Sequence, residues 1–258
     1  MMQQKERAEL LASLHVKGSP LVLYNAWDTG SARAIRDGGA AAIATSSWAV
    51  AAAHGYDDGE SIPFAFAVQI IARIADAIGL PVTVDIEGGY SDDPDVCAAN
   101  VALLMDQGVV GINIEDRIVA GAGLHDVYVQ CARIAAIRAM ANARGVPLYI
   151  NARTDLFLGT GVKPPEGMGE ANERAAAYAR AGASGFFVPG LVNLTAIREL
   201  CSTVELPLNV MTMAGLPSTR ELANAGVARI SHGPAAYLLA METIRKAASD
   251  VREKQRAA

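Results

Sequence analysis

ADAIGLPVTVDIE, residues 75–87, is the line on which the fold turns. A helical run ends in a small residue and Gly79, which suits the left-handed position that closes a helix. Pro81 blocks further helix, and Val82–Glu87 then reads as a short strand of β-branched residues. The phrase recurs at 34–47 (AIRDGGAAAIATSS), 104–116 (LMDQGVVGINIED), 141–155 (ANARGVPLYINARTD), 179–190 (ARAGASGFFVPG) and 223–233 (ANAGVARISHG). ELPLNVMT at 205–212 is a related unit without the glycine.

Counting outward from these units, strands are expected at 21–28, 41–47, 82–87, 109–116, 147–155, 185–189, 207–212 and 227–232. The runs between them have helical period, as in FAVQIIARIADAI at 66–78. Strands alternating with helices pair in parallel through right-handed crossovers. Eight such units predict an α/β fold, a (β/α)8 TIM barrel forming one domain over residues 1–258. An open doubly wound sheet is the alternative, but its Gly-x-Gly-x-x-Gly turn after the first strand is absent. The longest excursions, 48–63, 117–126 and 156–169, follow strands and so belong to the C-terminal face, where barrel enzymes carry their chemistry. The Gly- and Pro-rich stretches 119–123 and 159–169 read as lids or as plain surface loops.

Strand ends carry the polar residues. Alternation puts Asp85 and Glu87 on one face, Asn113 and Glu115 on one face, and Asn151, Arg153 and Asp155 on one face. Val84, Ile86, Ile114 and Ala152 suit the outward side under the helices, so the acids point into the barrel mouth. Converging carboxylates raise one another's pKa unless a cation compensates. Oxygen ligands without His or Cys at ligand spacing select a hard ion, Mg²⁺ or Mn²⁺, with Asp85, Glu87 and Glu115 as its candidate ligands. A salt-bridge network centred on Arg153 is the alternative, although one arginine does not neutralise Asp85, Glu87, Glu115 and Asp155. Thr45, Ser46 and Ser47, at the end of the second strand, are candidate substrate-binding residues whose small size admits a carboxylate close to backbone N–H groups. Asn209, in ELPLNVMT, joins them. Asp58 lies in a long loop on the same face and reads as a plain turn or a catalytic group. His232, at the end of the last strand, is a candidate for orienting substrate or moving a proton, or a structural histidine. The lysines, Lys5, Lys17, Lys163, Lys246 and Lys254, all lie outside the expected strands, which excludes Schiff-base chemistry on a core lysine.

Composition narrows the partners. The hydrophobic fraction is 52% and the aromatic fraction 5%, so aliphatic side chains build the core. A net charge of −5, without a basic stripe, argues against nucleic acid. No apolar run is long enough to span a bilayer, and the charged start MMQQKERAELLASL is unlike a secretory signal. Cys97, Cys131 and Cys201 are widely spaced, as expected of free thiols in a cytoplasmic protein.

Taken as an ordered set, these motifs resemble the isocitrate lyase/phosphoenolpyruvate mutase superfamily. They run from Asn25-Ala26-Trp27-Asp28 through Thr45-Ser46-Ser47, Gly55-Tyr56-Asp57-Asp58 and Asp85-Ile86-Glu87-Gly88-Gly89-Tyr90 to Asn113-Ile114-Glu115-Asp116 and Asn151-Ala152-Arg153-Thr154-Asp155. The resemblance covers about residues 20 to 235. It implies Mg²⁺ held directly at Asp85, with Glu87 and Glu115 acting through waters. It implies a backbone cradle for the substrate carboxylate at Ser46 and Ser47, and stabilisation of an enolate-like oxygen by Arg153. It also implies a gating loop after the fourth strand and a homotetramer in which the C-terminal helix packs on a neighbouring subunit.

The gating stretch Arg117–His125 contains neither the Cys nor the Lys of isocitrate and methylisocitrate lyases, which argues against those two activities. The Lys and Asn of phosphonate-handling mutases are absent too, although Leu124-His125-Asp126 resembles them. Ala44 stands where many members carry an aromatic residue. The expected function is a Mg²⁺-dependent lyase cleaving a C–C bond beside a 2-oxo acid, on an oxaloacetate-like or related dicarboxylate substrate. The alternatives are P–C chemistry, with Asp58 central, and a non-catalytic oxo-acid binder.

Overall fold

A computed structural model of the chain describes residues 2–257. Nine parallel strands among them form one sheet: β1 (Leu21–Leu23), β2 (Asn25–Ala26), β3 (Ile43–Thr45), β4 (Val82–Asp85), β5 (Gly111–Glu115), β6 (Tyr149–Arg153), β7 (Gly185–Phe187), β8 (Leu208–Met211) and β9 (Arg229–Ser231). Their order is β1-β9-β8-β7-β6-β5-β4-β3-β2. The first expected strand is broken at Tyr24. Its first half pairs with β9 and its second half with β3, so the ladder runs round a barrel rather than ending at open edges. That closure rules out the open-sheet alternative.

Every expected strand is present, but shorter. The second stops at Thr45 because Ser46 turns the chain into helix α3 (Ser47–Ala53), its hydroxyl accepting from Ala49 N–H. The third stops at Asp85 because Ile86–Gly89 form a turn, with Gly89 N–H donating to Ile86 O. Glu87 takes φ +52° there, so strand alternation does not govern it.

The helices α2 (Thr29–Asp37), α4 (Phe64–Ala77), α5 (Pro94–Asp106), α6 (Val127–Ala143), α7 (Met168–Ala181), α8 (Leu194–Thr203) and α9 (Thr219–Ala225) lie between the strands. Asp28, Asp93, Asp126, Asn193 and Ser218 accept from first-turn amides and so fix where five of these helices start. Gly182 and Gly226 end α7 and α9 in the left-handed conformation the sequence pattern expects. Gly79 does not. There α4 ends at an extended Ile78.

Val84, Ile86, Ile114 and Ala152 are buried with helix residues such as Ile71, Ile74, Ile134 and Ile137 in the main core. Each such side chain contributes roughly 1.5–3 kcal/mol by leaving water. A second cluster fills the barrel's N-terminal end, where Leu11 of α1 (Gln4–Ser13) packs with Leu21, Leu23, Val110 and Tyr149. Gly111 leaves room for this plug, since a Cβ there would stand 2.6 Å from Leu11 Cδ2. With that end closed, the C-terminal face is the open one. Cys97, Cys131 and Cys201 are free thiols. No helix among the described residues is long and apolar enough to cross a membrane.

Candidate active site

A cleft of about 620 Å³, counting space open to solvent, sits on the C-terminal face. Asp85 forms part of its wall. Its Oδ2 accepts from the Ser47 hydroxyl at 2.8 Å and more weakly from the Ser47 amide at 3.4 Å. Its Oδ1 is buried and has no hydrogen-bond partner. The Thr45 hydroxyl accepts from the Asp85 amide at 3.1 Å, and the Thr45 carbonyl accepts from Asn25 Nδ2 at 2.7 Å. Both contacts fix β3 against its neighbours.

Arg153, at the end of β6, faces Asp85 across this wall. Its Nε and Nη2 grip Asp155 at 2.6 and 2.8 Å, and its Nη1 reaches Glu115 Oε2 at 2.9 Å. Three of the guanidinium's five N–H groups are thus committed. Burial works against the arginine's charge, but Glu115, Asp155 and Asp85 more than offset it and hold the group protonated. Glu115 goes the other way: burial pushes its carboxyl up against the pull of Arg153.

Glu87 stands outside the cleft lining and faces the long loop after α3. Its Oε2 accepts from the amides of Gly59 and Glu60 at 2.7 and 2.8 Å, and Glu60 Oε1 accepts from the Tyr90 amide at 2.7 Å. Glu60, Glu87 and Tyr90 are the described non-glycine residues with positive φ, at 57°, 52° and 58°. Strain is therefore gathered at one spot beside the cleft. Burial, then the charges of Asp58 and Asp85, push the Glu87 carboxyl up to about 7. The loop so pinned carries Asp58 into the cleft lining. Partial burial and the Asp85 charge raise the Asp58 carboxyl, while Arg153 and Arg117 oppose them.

Ser46 and Ser47 line the cleft, with part of their hydrogen-bonding capacity used within the fold. Ser46 N–H donates to Ala26 O, the Ser46 hydroxyl caps α3, and Ser47 N–H leans toward Asp85. His232 is turned away from the cleft and stacks on Tyr24, with ring centroids 4.1 Å apart. Asn209 lies below the cleft, fully buried, exchanging hydrogen bonds with Ser231. It pairs in register with Arg229 of β9, which in turn reaches Asn113.

The sequence reading passed over the apolar wall of Trp48, Leu158, Phe187, Met211 and Pro234. Alternation along the seventh strand signals Phe187; the loop residues carried no such signal. It also passed over Asp116, which is buried under the gating stretch. Asp116 Oδ2 accepts from Tyr178 at 2.8 Å and Arg174 at 3.2 Å, and Oδ1 accepts from the Asp155 amide at 3.0 Å.

Among the described residues, no three His, Cys, Asp or Glu side chains converge to cage a metal by themselves. The unpartnered Asp85 Oδ1, in a wall whose other acids are raised by burial and mutual repulsion, still fits a hard ion. Mg²⁺ keeps several waters and binds through one or two carboxylates.

The family model described as phosphoenolpyruvate phosphomutase matches residues 11–252. An uncharacterized protein of Mycobacterium tuberculosis is 36% identical over 224 residues, covering 87% of this chain and 81% of its own. The oxaloacetate decarboxylase of Pseudomonas fluorescens is 30% identical over 181 residues, 68% of this chain but 60% of that enzyme. Among solved structures, a Burkholderia cenocepacia protein provisionally named a phosphonomutase is 44% identical, covers 96% of this chain and 99% of its own, and superposes with a TM-score of 0.93. A phosphonopyruvate hydrolase solved with oxalate and Mg²⁺ has a TM-score of 0.84 at 19% identity, covering 96% of this chain and 88% of its own, a likeness of fold.

Proposed function

Because the chain belongs to the phosphoenolpyruvate phosphomutase family, we propose that it is a divalent-metal-dependent lyase that breaks a C–C bond beside a 2-oxo acid, oxaloacetate-like substrates included. The superfamily acts on 2-oxo acids or phosphonates. One observation favours the former. Arg153 is the cation lining the cleft among the described residues, and its charge is already shared by Glu115 and Asp155. A carboxylate leaving as CO₂ needs no further cation and is helped by the apolar wall of Trp48, Phe187 and Met211.

In this reading Asp85 would hold the metal, through the oxygen Ser47 leaves free, with Glu87 and Glu115 as further candidate ligands. The metal, Mg²⁺ or Mn²⁺, would supply a Lewis acid for the oxo and carboxylate oxygens. Ser47 fixes the Asp85 carboxylate, and Glu115 and Asp155 fix the Arg153 fork. The two N–H groups Arg153 has left are directed at the oxo oxygen as the C–C bond breaks and its electron pair moves into an enolate. Asp58, in the cleft lining, gives a proton to the enolate carbon.

P–C chemistry is the second reading, favoured by the position of Asp58 in the cleft lining. Purified protein with Mg²⁺ distinguishes them: pyruvate release from oxaloacetate is expected. Phosphate release from phosphonopyruvate, with C–C substrates inert, would overturn the lyase reading; oxalate binding without any turnover would favour a binder.

We also propose that α10 (Ala235–Ala257) packs on a neighbouring copy in a homotetramer. Leu239 and Ile244 are 65% and 61% exposed on it, and Leu238 and Val251 are exposed as well.

A further inference from the structure

Arg229 is completely buried inside the barrel, one layer below the cleft. Both of its hydrogen bonds go to neutral oxygens: Nε to Ser231 Oγ at 3.1 Å and Nη2 to Asn113 Oδ1 at 3.2 Å. Its Nη1 has no partner. Burial pulls its pKa down to about 10, so it remains a cation at neutral pH. Asp85 acts on this charge only from beyond salt-bridge distance, a buried cation without a paired carboxylate is costly, and nothing in the reading above uses it.

Its effect on Asn113 follows from donor chemistry. A guanidinium has no acceptor, so Asn113 must turn its oxygen toward Arg229. The same oxygen accepts from Asn151 Nδ2 at 2.9 Å. With Oδ1 held by two donors, the amide Nδ2 is left free of both, and Asn113 lines the cleft, in register between Asp85 and Asn151. The alternative flip would set N–H against N–H at Arg229, which has no acceptor to offer.

We propose that Asn113 Nδ2 donates to an anionic oxygen of the bound oxo acid, and that Arg229 is the positioning residue that fixes this donor. This rests on the oxo-acid reading of the cleft. It extends that reading to the barrel floor.

Oxalate with Mg²⁺ is the probe, used on the full chain. In the complex, an oxalate oxygen is expected within hydrogen-bond distance of Asn113 Nδ2. By calorimetry, Asn113→Ala and Arg229→Met are each expected to weaken oxalate by at least about tenfold, the worth of one hydrogen bond to a charged group. If Arg229 acts through Asn113, the double variant binds within about twofold of Asn113→Ala. A purely structural Arg229 would add its loss instead, and additive losses overturn its positioning role. Oxalate bound beyond reach of Asn113 overturns the donor, and this outcome needs no variant to fold. Failure of wild-type protein to bind oxalate at all would instead bring down the oxo-acid reading and this inference with it.

Discussion

Asp85 and Arg153 are tied down so differently that their substitutions are expected to fail differently. Asp85→Ala removes the unpartnered oxygen and should abolish stimulation by Mg²⁺; full Mg²⁺-stimulated activity in that variant would remove the metal from the mechanism. Arg153→Lys keeps a charge but loses the fork that spans Glu115 and Asp155. Turnover is expected to fall by about 10²–10³, as when one preorganised donor is lost, and steady-state kinetics would show it in kcat.

His15, on the barrel floor, makes a separate prediction. It stacks on Tyr149, and burial followed by the charge of Arg229 lowers its pKa to about 3. The unfolded chain therefore binds a proton that the folded one refuses. Stability from this residue is complete above about pH 6.5 and is lost as pH falls toward 3, by about 2 kcal/mol between pH 7 and 5. His15→Phe keeps the stack and should flatten that loss in denaturant melts. Equal losses in both proteins would contradict it.

At the scale of elements, the strands were legible because Gly, Pro and a β-branched run recur as a unit. The faces they present were legible only while the strand lasts. Asn113, Glu115 and Arg153 lie inside β5 and β6 and meet as alternation requires. Glu87 lies two residues past β4, where a left-handed turn re-aims it at Gly59 and Glu60, and no period carries that information. His232 likewise follows β9 and is set by Tyr24 rather than by the barrel.

The gating stretch has an equally local anchor. Arg117 bridges Leu124, and below them Arg174 and Tyr178 of α7 hold Asp116, while Arg174 also reaches the His125 carbonyl. Tyr178→Phe strips one hydrogen bond from a buried carboxylate, an expected cost of about 1–3 kcal/mol. Amide exchange at His125, whose N–H donates to Asp116 O, should quicken. Unchanged exchange would mean that this anchor does not hold the loop.

For the whole molecule, closure through the broken first strand and the plug of α1 leave one open end, and the polar strand ends all face it. What composition leaves unsaid is how far α10 stands clear of the barrel, exposed on every side from residue 241 to 253. A 23-residue helix with Leu238, Leu239, Ile244 and Val251 exposed is an incomplete surface for a lone copy. Leu239→Glu combined with Ile244→Glu is expected to shift the assembly toward monomer in sedimentation velocity. An unchanged sedimentation coefficient would exclude α10 from any interface.

Glu60, Glu87 and Tyr90 have a consequence for descent. Each occupies a backbone conformation that glycine adopts at little steric cost and that costs other residues about 1–3 kcal/mol. Glycine would relieve the backbone at all three positions, and only selection on the cleft keeps it out. Lineages that have abandoned the substrate should show glycine there first, while their barrels stay intact.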